Sequence, residues 1–140
     1  MSIQAVLAPL FVQIILTLLL LYGMAALRGS ALQSGQVRAE QMELQTAGWP
    51  PRATQFGNCF RNQSELPVLF YVAVIVAWIT RKADLLIVVL SWLFVLSRIG
   101  HALVHVTFNK VPVRGAIYGI GGLILTILWV VLIVRVMLGS

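Results

Sequence analysis

Four long apolar runs, separated by short charged segments, occupy most of the 140-residue chain. They cover about residues 3–27, 56–79, 85–108 and 115–138, and the second run has a polar lead-in over residues 56–65. A bilayer core is about 30 Å thick and needs about 20 residues of apolar helix. Because lipid offers no hydrogen-bond partner to the backbone, each run is predicted to be helical. The sequence therefore predicts an all-α, polytopic membrane four-helix bundle.

The composition also indicates a membrane protein, since only 10% of the residues are charged, against about 25% in soluble domains. The net charge of +6 does not indicate a nucleic-acid partner, because the Lys and Arg residues lie mostly at the ends of apolar runs. A single cysteine, Cys59, excludes an internal disulfide. We expect one domain over residues 1–140, surrounded by membrane lipids. The first run is expected to stay as a helix, because it is too long for a signal peptide and no basic region precedes it.

The basic residues predict the orientation of the bundle in the membrane. The connections after the first and third runs carry five of them, namely Arg28, Arg38, Arg52, Lys110 and Arg114. The opposite side carries three, namely Arg81, Lys82 and Arg135. This bias predicts non-cytoplasmic termini and a cytoplasmic loop over about residues 28–55. Within that loop, residues 37–44 are predicted to form a short surface helix, and the Gly-Trp-Pro-Pro sequence at 48–51 must interrupt any helix.

The second run carries a polar stripe, because Asn58, Asn62 and Glu65 recur at the spacing of one helix face. Arg61 precedes Glu65 by four residues and is expected to pair with it. Pro67 lacks a backbone donor and predicts a kink close to Glu65. An ionisable side chain beside a membrane segment is costly, which makes Glu65 a candidate functional residue. The alternative is that Glu65 only neutralises one of the nearby arginines.

Arg98, His101 and His105 form a second stripe, on one face of the third run. Because a short loop joins the second and third runs into an antiparallel hairpin, the two stripes are expected to meet at a similar depth. Together they predict a cationic pocket that opens towards the cytoplasm and the lipid. The two histidines are four residues apart, but no carboxylate shares their face, so we expect no metal site.

A pair of glycines opens the fourth run. Gly115 and Gly119 have the spacing that lets two membrane helices approach closely. They indicate either an interface between subunits or packing within one subunit, and the sequence leaves both interpretations open.

Three segments of the chain carry a family resemblance. The first is Asn62-Gln-Ser-Glu65-Leu-Pro67 at the start of the second helix. The second is Arg98 with the ring-bearing side chains of His101 and His105, and the third is Arg114 followed by Tyr118 and Gly121. They resemble the family of membrane-associated proteins in eicosanoid and glutathione metabolism, known as MAPEG. Arg28 is similar to the arginine that closes helix 1 in glutathione-using members.

This resemblance implies a homotrimer with sites between adjacent subunits, near the cytoplasmic membrane face. It also implies that glutathione is bound. The binding residues that it implies are Arg28, Asn62, Glu65, Arg98, His101 and His105. Arg114 would be the catalytic residue that lowers the pKa of the thiol. The chain is then expected to be a divergent bacterial inner-membrane member, which transfers glutathione or another thiol to a lipophilic substrate or reduces a peroxide.

The chain departs from glutathione-using members at Asn58, where they usually carry an arginine, and at His101 and His105, where they carry tyrosines. Arg61 is the arginine closest to the missing position. Two other functions stay open: a non-catalytic binding or structural protein of the same fold, and a small proton-coupled exporter. Such exporters place their carboxylate near the middle of helix 1, whereas Glu65 is predicted at the entrance of helix 2.

Overall fold

All regular structure in the described part of the chain is helical. The computed structural model describes residues 1–43 and 48–139. Its six helices are α1 (Ile3–Gln33), α2 (Ala39–Glu43), α3 (Pro51–Asn62), α4 (Leu66–Ile79), α5 (Leu85–Val106) and α6 (Val111–Leu138). Four segments are long and apolar enough to cross a membrane, with α3 and α4 together forming the second of them. The predicted all-α membrane fold with four spans is therefore confirmed.

The first helix ends six residues later than the apolar run that predicted it. Gly35 follows the end of this helix and has a positive φ of 79°. The N–H of Gln36 donates to the carbonyl of Ala31 at 3.0 Å, and this bond closes the last turn. The helix thus ends just before a glycine in the left-handed conformation, where glycine has no steric penalty. The short helix predicted over residues 37–44 is present as α2, and Leu44 lies outside the described residues.

Prolines set the boundaries of the second and fourth spans. Pro51 is the first residue of α3, so this helix begins before Phe56, where the predicted run started. Pro112 lies in the first turn of α6, which therefore begins at Val111 rather than at Gly115. Pro67 lies in the first turn of α4, and the helical structure is interrupted over residues 63–65. A proline lacks the backbone N–H and is tolerated best in the first turn of a helix, which agrees with the helix start beside each of these three prolines.

Two buried glutamines hold the interruption between α3 and α4 against α1. The Gln63 side chain donates from Nε2 to the carbonyl of Cys59 at 3.0 Å. Its Oε1 accepts a hydrogen bond from Nε2 of Gln13 in α1, at 2.7 Å. Both side chains are buried. The interruption is therefore tied to the core by polar contacts, where a buried carbonyl would otherwise lack a partner.

The fifth helix lies at the centre of the bundle. More than half of its apolar window is buried, a larger share than in the other three spans. It packs mainly against α6 and α1, and only lightly against α4, which precedes it in the chain. Phe94 of α5 contacts Phe70 of α4 with ring centroids 4.8 Å apart. The hairpin expected from the short loop thus exists, but α6 covers more of α5 than α4 does.

The glycines of α6 differ in their surroundings. A Cβ at Gly121 would lie 2.8 Å from Oγ of Ser97, so Gly121 permits the close approach of α5 and α6. Nothing lies within 4 Å of a Cβ at Gly115 or Gly119. Of the two interpretations left open by the sequence, packing within the subunit therefore fails for the Gly115–Gly119 pair and applies to Gly121 instead.

Asp84 organises the end of the bundle where α5 begins. Its Oδ1 accepts a hydrogen bond from the N–H of Ile87 at 3.1 Å and so caps α5. Its Oδ2 lies 2.5 Å from Nη1 of Arg135 in α6. Partial burial raises the pKa of Asp84, but the hydrogen bonds from Arg135 and Ile87 outweigh it and hold the pKa below its ordinary value of 3.8. The carboxylate form is therefore favoured in the folded chain.

We expect Asp84→Asn to lower the free energy of unfolding by up to about 1 kcal/mol, because asparagine keeps the cap and loses only the half-exposed ion pair. Asp84→Ala should cost about 1 kcal/mol more, because the cap is lost as well. The lowered pKa stabilises the fold above 3.8, and this contribution disappears as the pH falls through the folded-state value. Thermal unfolding in detergent should show a gap between wild type and Asp84→Asn near neutral pH that narrows towards about pH 3. A gap that widens in acid would contradict this assignment.

Candidate functional site

A polar cleft of about 390 Å³ opens where α3 and α5 end and where α4 and α6 begin. Its lining residues are Asn58, Arg61, Asn62, Glu65, His101, His105, Arg114, Gly115 and Tyr118. The volume is within the range of about 300–1,000 Å³ that is typical of small-molecule sites. The stripe predicted on the second run and the two histidines of the stripe predicted on the third run thus face the same space.

On one side of the cleft lie Asn58, Asn62 and Glu65. Arg61 also lines the cleft, although the described residues show no ion pair between Arg61 and Glu65. The expected pairing fails because the helix is interrupted over residues 63–65, and the four-residue helical register between the two side chains is lost. Oε2 of Glu65 instead accepts a hydrogen bond from the hydroxyl of Tyr118 at 3.1 Å.

The three polar side chains of α5 are almost completely buried. Arg98 and His101 are each 1% exposed and His105 is 3% exposed. The two imidazole rings are nearly perpendicular, with centroids 5.5 Å apart, and both line the cleft. Arg98 is not part of the lining and lies one turn deeper, about 4.5 Å along the helix from His101. In the described part of the chain, no three His, Cys, Asp or Glu side chains cluster closely enough to hold a metal ion.

Tyr118 of α6 connects the two sides of the cleft. Its ring centroid lies 5.5 Å from Cζ of Arg98, within the range of a cation–π contact. The ring of His101 lies 5.6 Å away, and the hydroxyl reaches Glu65. Tyr118 was not predicted as a site residue. Its position in the sequence could have indicated a site residue, because it follows Arg114 by one helical turn on the same face of α6.

Arg114 is held at the rim of the cleft by the loop before α6. Its Nη1 donates to Oδ1 of Asn109 at 2.7 Å. Asn109 has a positive φ of 50°, a conformation that asparagine adopts more readily than most residues. The contact uses one donor of the guanidinium, and the remaining N–H groups stay available for a ligand.

Several buried nitrogen atoms beside the cleft have no hydrogen-bond partner among the described residues. They are Nε and Nη1 of Arg98, Nδ1 of His101 and Nδ1 of His105. Nη2 of Arg98 makes only a long contact of 3.5 Å with the carbonyl of Asn62. A buried polar group without a partner destabilises a fold, so such groups indicate a site that a ligand or water completes. Since the cleft region has three arginines and one carboxylate, an anionic ligand fits best.

Arg28 lies away from this cleft. Its Cζ is 4.9 Å from the ring centroid of Trp49, and its guanidinium packs beside Gly57 of α3. Nε of Arg28 is buried and has no partner among the residues that the structure describes. Of the residues implied by the family resemblance, Arg28 is therefore the one that the fold does not bring to the cleft region.

These features define a class of protein: a four-span, all-α membrane protein with a cationic cleft at one end of its bundle. The sequence profile of the MAPEG family matches residues 6–134, and the chain belongs to this family. The suspected resemblance is thereby confirmed. A search of curated proteins gave no match, and a search of solved structures gave none either.

Replacing Arg98 by methionine should raise stability while weakening anion binding. Methionine keeps most of the side-chain volume, and a buried cation without a carboxylate partner destabilises a fold, so we expect a gain of about 1–3 kcal/mol in unfolding free energy. Thermal unfolding in detergent measures this change. Arg52→Met, which removes an exposed arginine, is the matched control and should change stability by less than about 0.5 kcal/mol. A lower unfolding temperature for Arg98→Met would show that the guanidinium holds the fold together.

Proposed function

We propose that this MAPEG-family protein binds glutathione in the cleft and uses its thiol on a lipophilic substrate, as a transferase or a peroxidase. The observation that carries the proposal is the set of unpartnered buried nitrogens on Arg98, His101 and His105 beside the cleft. Glutathione is a tripeptide with two carboxylates, one ammonium group and two amides. The cleft holds a complement for each of these groups.

The charges of the cleft suggest how the tripeptide would lie. The guanidinium of Arg61, at the lining, and that of Arg98, beneath it, suit the two carboxylates, since arginine donates in a planar fork. Glu65 suits the ammonium group, and the Asn62 side chain suits an amide. Arg61 would take the place of the arginine that family members carry where this chain has Asn58.

Arg114 is the proposed catalytic residue. When bound, glutathione supplies a thiol whose thiolate form is the nucleophile. A guanidinium stabilises a neighbouring thiolate and lowers the pKa of the thiol, and Asn109 holds Arg114 at the rim for this role. His101 and His105 are buried in the wall and would orient the tripeptide by hydrogen bonds. The exposed apolar side chains of Leu103 and Val111, in the helices that border the cleft, leave a path from the lipid for the second substrate.

The decisive measurement is the absorbance of the glutathione thiolate on adding glutathione to the purified protein. We expect wild type to give this signal and Arg114→Gln to lose it, with kcat/KM reduced about ten- to hundredfold, because one charge-assisted contact to the thiolate is lost. Arg38→Gln removes one exposed positive charge outside the cleft and is the matched control. It should keep both the signal and the rate.

Other outcomes would separate the remaining functions. Calorimetric binding without a thiolate signal would indicate a non-catalytic binding protein of the same fold. Absence of both calorimetric binding and a thiolate signal would contradict the glutathione proposal. A proton-coupled exporter is disfavoured because Glu65 lies at the N-terminal end of α4, bonded to Tyr118, rather than near the middle of the first helix. Proton-dependent dye efflux from vesicles, abolished by Glu65→Gln, would reverse that ranking.

We further propose that the chain assembles as a homotrimer, with each cleft completed by Arg28 of a neighbouring subunit. Two observations support this assembly: the open space beside Gly115 and Gly119, and the distance of Arg28 from its own cleft.

The bias of basic residues favours a cytoplasmic cleft in a bacterial inner membrane, with both termini on the other side. Labelling of Lys110→Cys by a membrane-impermeant reagent only after lysis would agree with this orientation.

Gly119→Leu should convert the trimer into monomers, because a large side chain would prevent two α6 helices from approaching closely. Native mass spectrometry of the detergent-solubilised chain measures the stoichiometry. Gly48→Leu makes the same change at an equally open glycine outside the membrane-spanning helices and is expected to leave the trimer intact. A trimer that survives Gly119→Leu would exclude this face as the interface.

A further inference from the structure

A second cationic cleft lies at the opposite end of the bundle from the candidate site. It has a volume of about 510 Å³ and is lined by Arg81, Lys82, Ala83, Asp84 and Arg135. The 14 residues of α4 separate the two clefts by about 21 Å, at 1.5 Å per residue. Nothing in the proposed glutathione chemistry uses this second cleft.

The charges in the second cleft are not balanced. Three cationic side chains share it with one carboxylate, which leaves a formal excess of two positive charges. The carboxylate of Asp84 is already engaged by Arg135 at 2.5 Å. Within the described ranges, Arg81 and Lys82 have no carboxylate partner. Two adjacent cations are therefore available for an anion that comes from outside the chain.

The backbone at Arg81 adopts a conformation that is strained for any residue with a side chain. Arg81 has a φ of 60°, in the left-handed region that favours glycine. It follows the end of α4, where the N–H of Lys82 donates to the carbonyl of Ala77 at 2.9 Å. This is the helix-ending motif in which glycine is the usual residue. An arginine in this position suggests a use for the guanidinium that offsets the strain.

The length of α6 between the two clefts matches the thickness of a bilayer core. Arg114 and Arg135 are separated along α6 by about 32 Å, at 1.5 Å per residue, which is close to the thickness of a bilayer core. A second hollow adjoins the cleft and shares Arg81 and Ala83 with it. Trp78 and Ile79 line this hollow and are both exposed. Cations and an apolar shelf are therefore side by side at the membrane interface.

We propose that this second cleft binds an anionic phospholipid. Arg81 and Lys82 hold its phosphate, and Trp78 and Ile79 contact the upper part of its acyl chains. Charge complementarity selects an anionic headgroup, because a zwitterionic one carries an ammonium group that the excess positive charge repels. The apolar shelf distinguishes a lipid from free phosphate, which has no group to place there.

The test is the preference of the purified full-length chain for phosphatidylglycerol over phosphatidylcholine, measured by native mass spectrometry after incubation in mixed micelles. Wild type should retain phosphatidylglycerol preferentially. Arg81→Gln/Lys82→Gln should lower this preference about thirtyfold, since each interfacial cation contributes roughly fivefold to the binding of an anionic lipid. Arg38→Gln/Lys110→Gln removes the same charge elsewhere and should keep most of the preference.

Arg81→Gly separates binding from folding. Glycine relieves the backbone strain, so the variant should unfold at a temperature no lower than that of wild type and still lose about fivefold in lipid preference. No preference in wild type, or an equal loss in the two double variants, would overturn the proposal. Displacement of the lipid by millimolar inorganic phosphate would also overturn it, because the cleft would then be a phosphate site without lipid contacts.

Discussion

Gln63 lies at the point where a helix must end inside a membrane span. Lipid cannot supply the hydrogen bonds that a broken helix loses, so the chain has to supply them itself. The Gln63 amide donates to the carbonyl of Cys59 and accepts from Gln13 of α1, and both glutamines are buried. This arrangement ties the interruption between Asn62, where α3 ends, and Leu66, where α4 begins, to α1. The polar cleft depends on it, because Asn62 and Glu65 flank the interruption.

The interruption also changes the partner of Glu65. In a continuous helix, Glu65 would face Arg61, whereas in the folded chain it accepts a hydrogen bond from Tyr118 of α6. Tyr118 in turn packs against Arg98 and His101 of α5. Arg61 stays without a carboxylate partner in the described part of the chain. The cleft therefore keeps an excess of positive charge, a state that is unfavourable for the empty fold and favourable for an anionic ligand.

The bundle concentrates its polar chemistry at its two ends and keeps its middle apolar. Phe70, Phe94 and Leu125 belong to the buried core between them. At one end, the buried Arg98 and the more accessible Arg61 and Arg114 lie near a single carboxylate. At the other end, Arg81 and Lys82 lie in a short loop and remain accessible, while Asp84 and Arg135 tie α5 to α6. A cleft with many donors and acceptors suits a small polar anion, whereas two adjacent cations beside an apolar shelf suit an anionic lipid.

The sequence by itself determined the four spans, because the thickness and polarity of a bilayer core set the length and apolar composition that a spanning helix needs. It also determined which polar residues share a helix face, such as Asn58 with Asn62 and His101 with His105, since helical periodicity is a local property. Only the tertiary structure decided that Arg98 lies beneath the cleft, that Tyr118 reaches Glu65 and that Arg28 packs against α3. These contacts depend on how each helix is rotated and where it crosses its neighbours. That geometry results from packing across the whole bundle, which no single run of residues encodes.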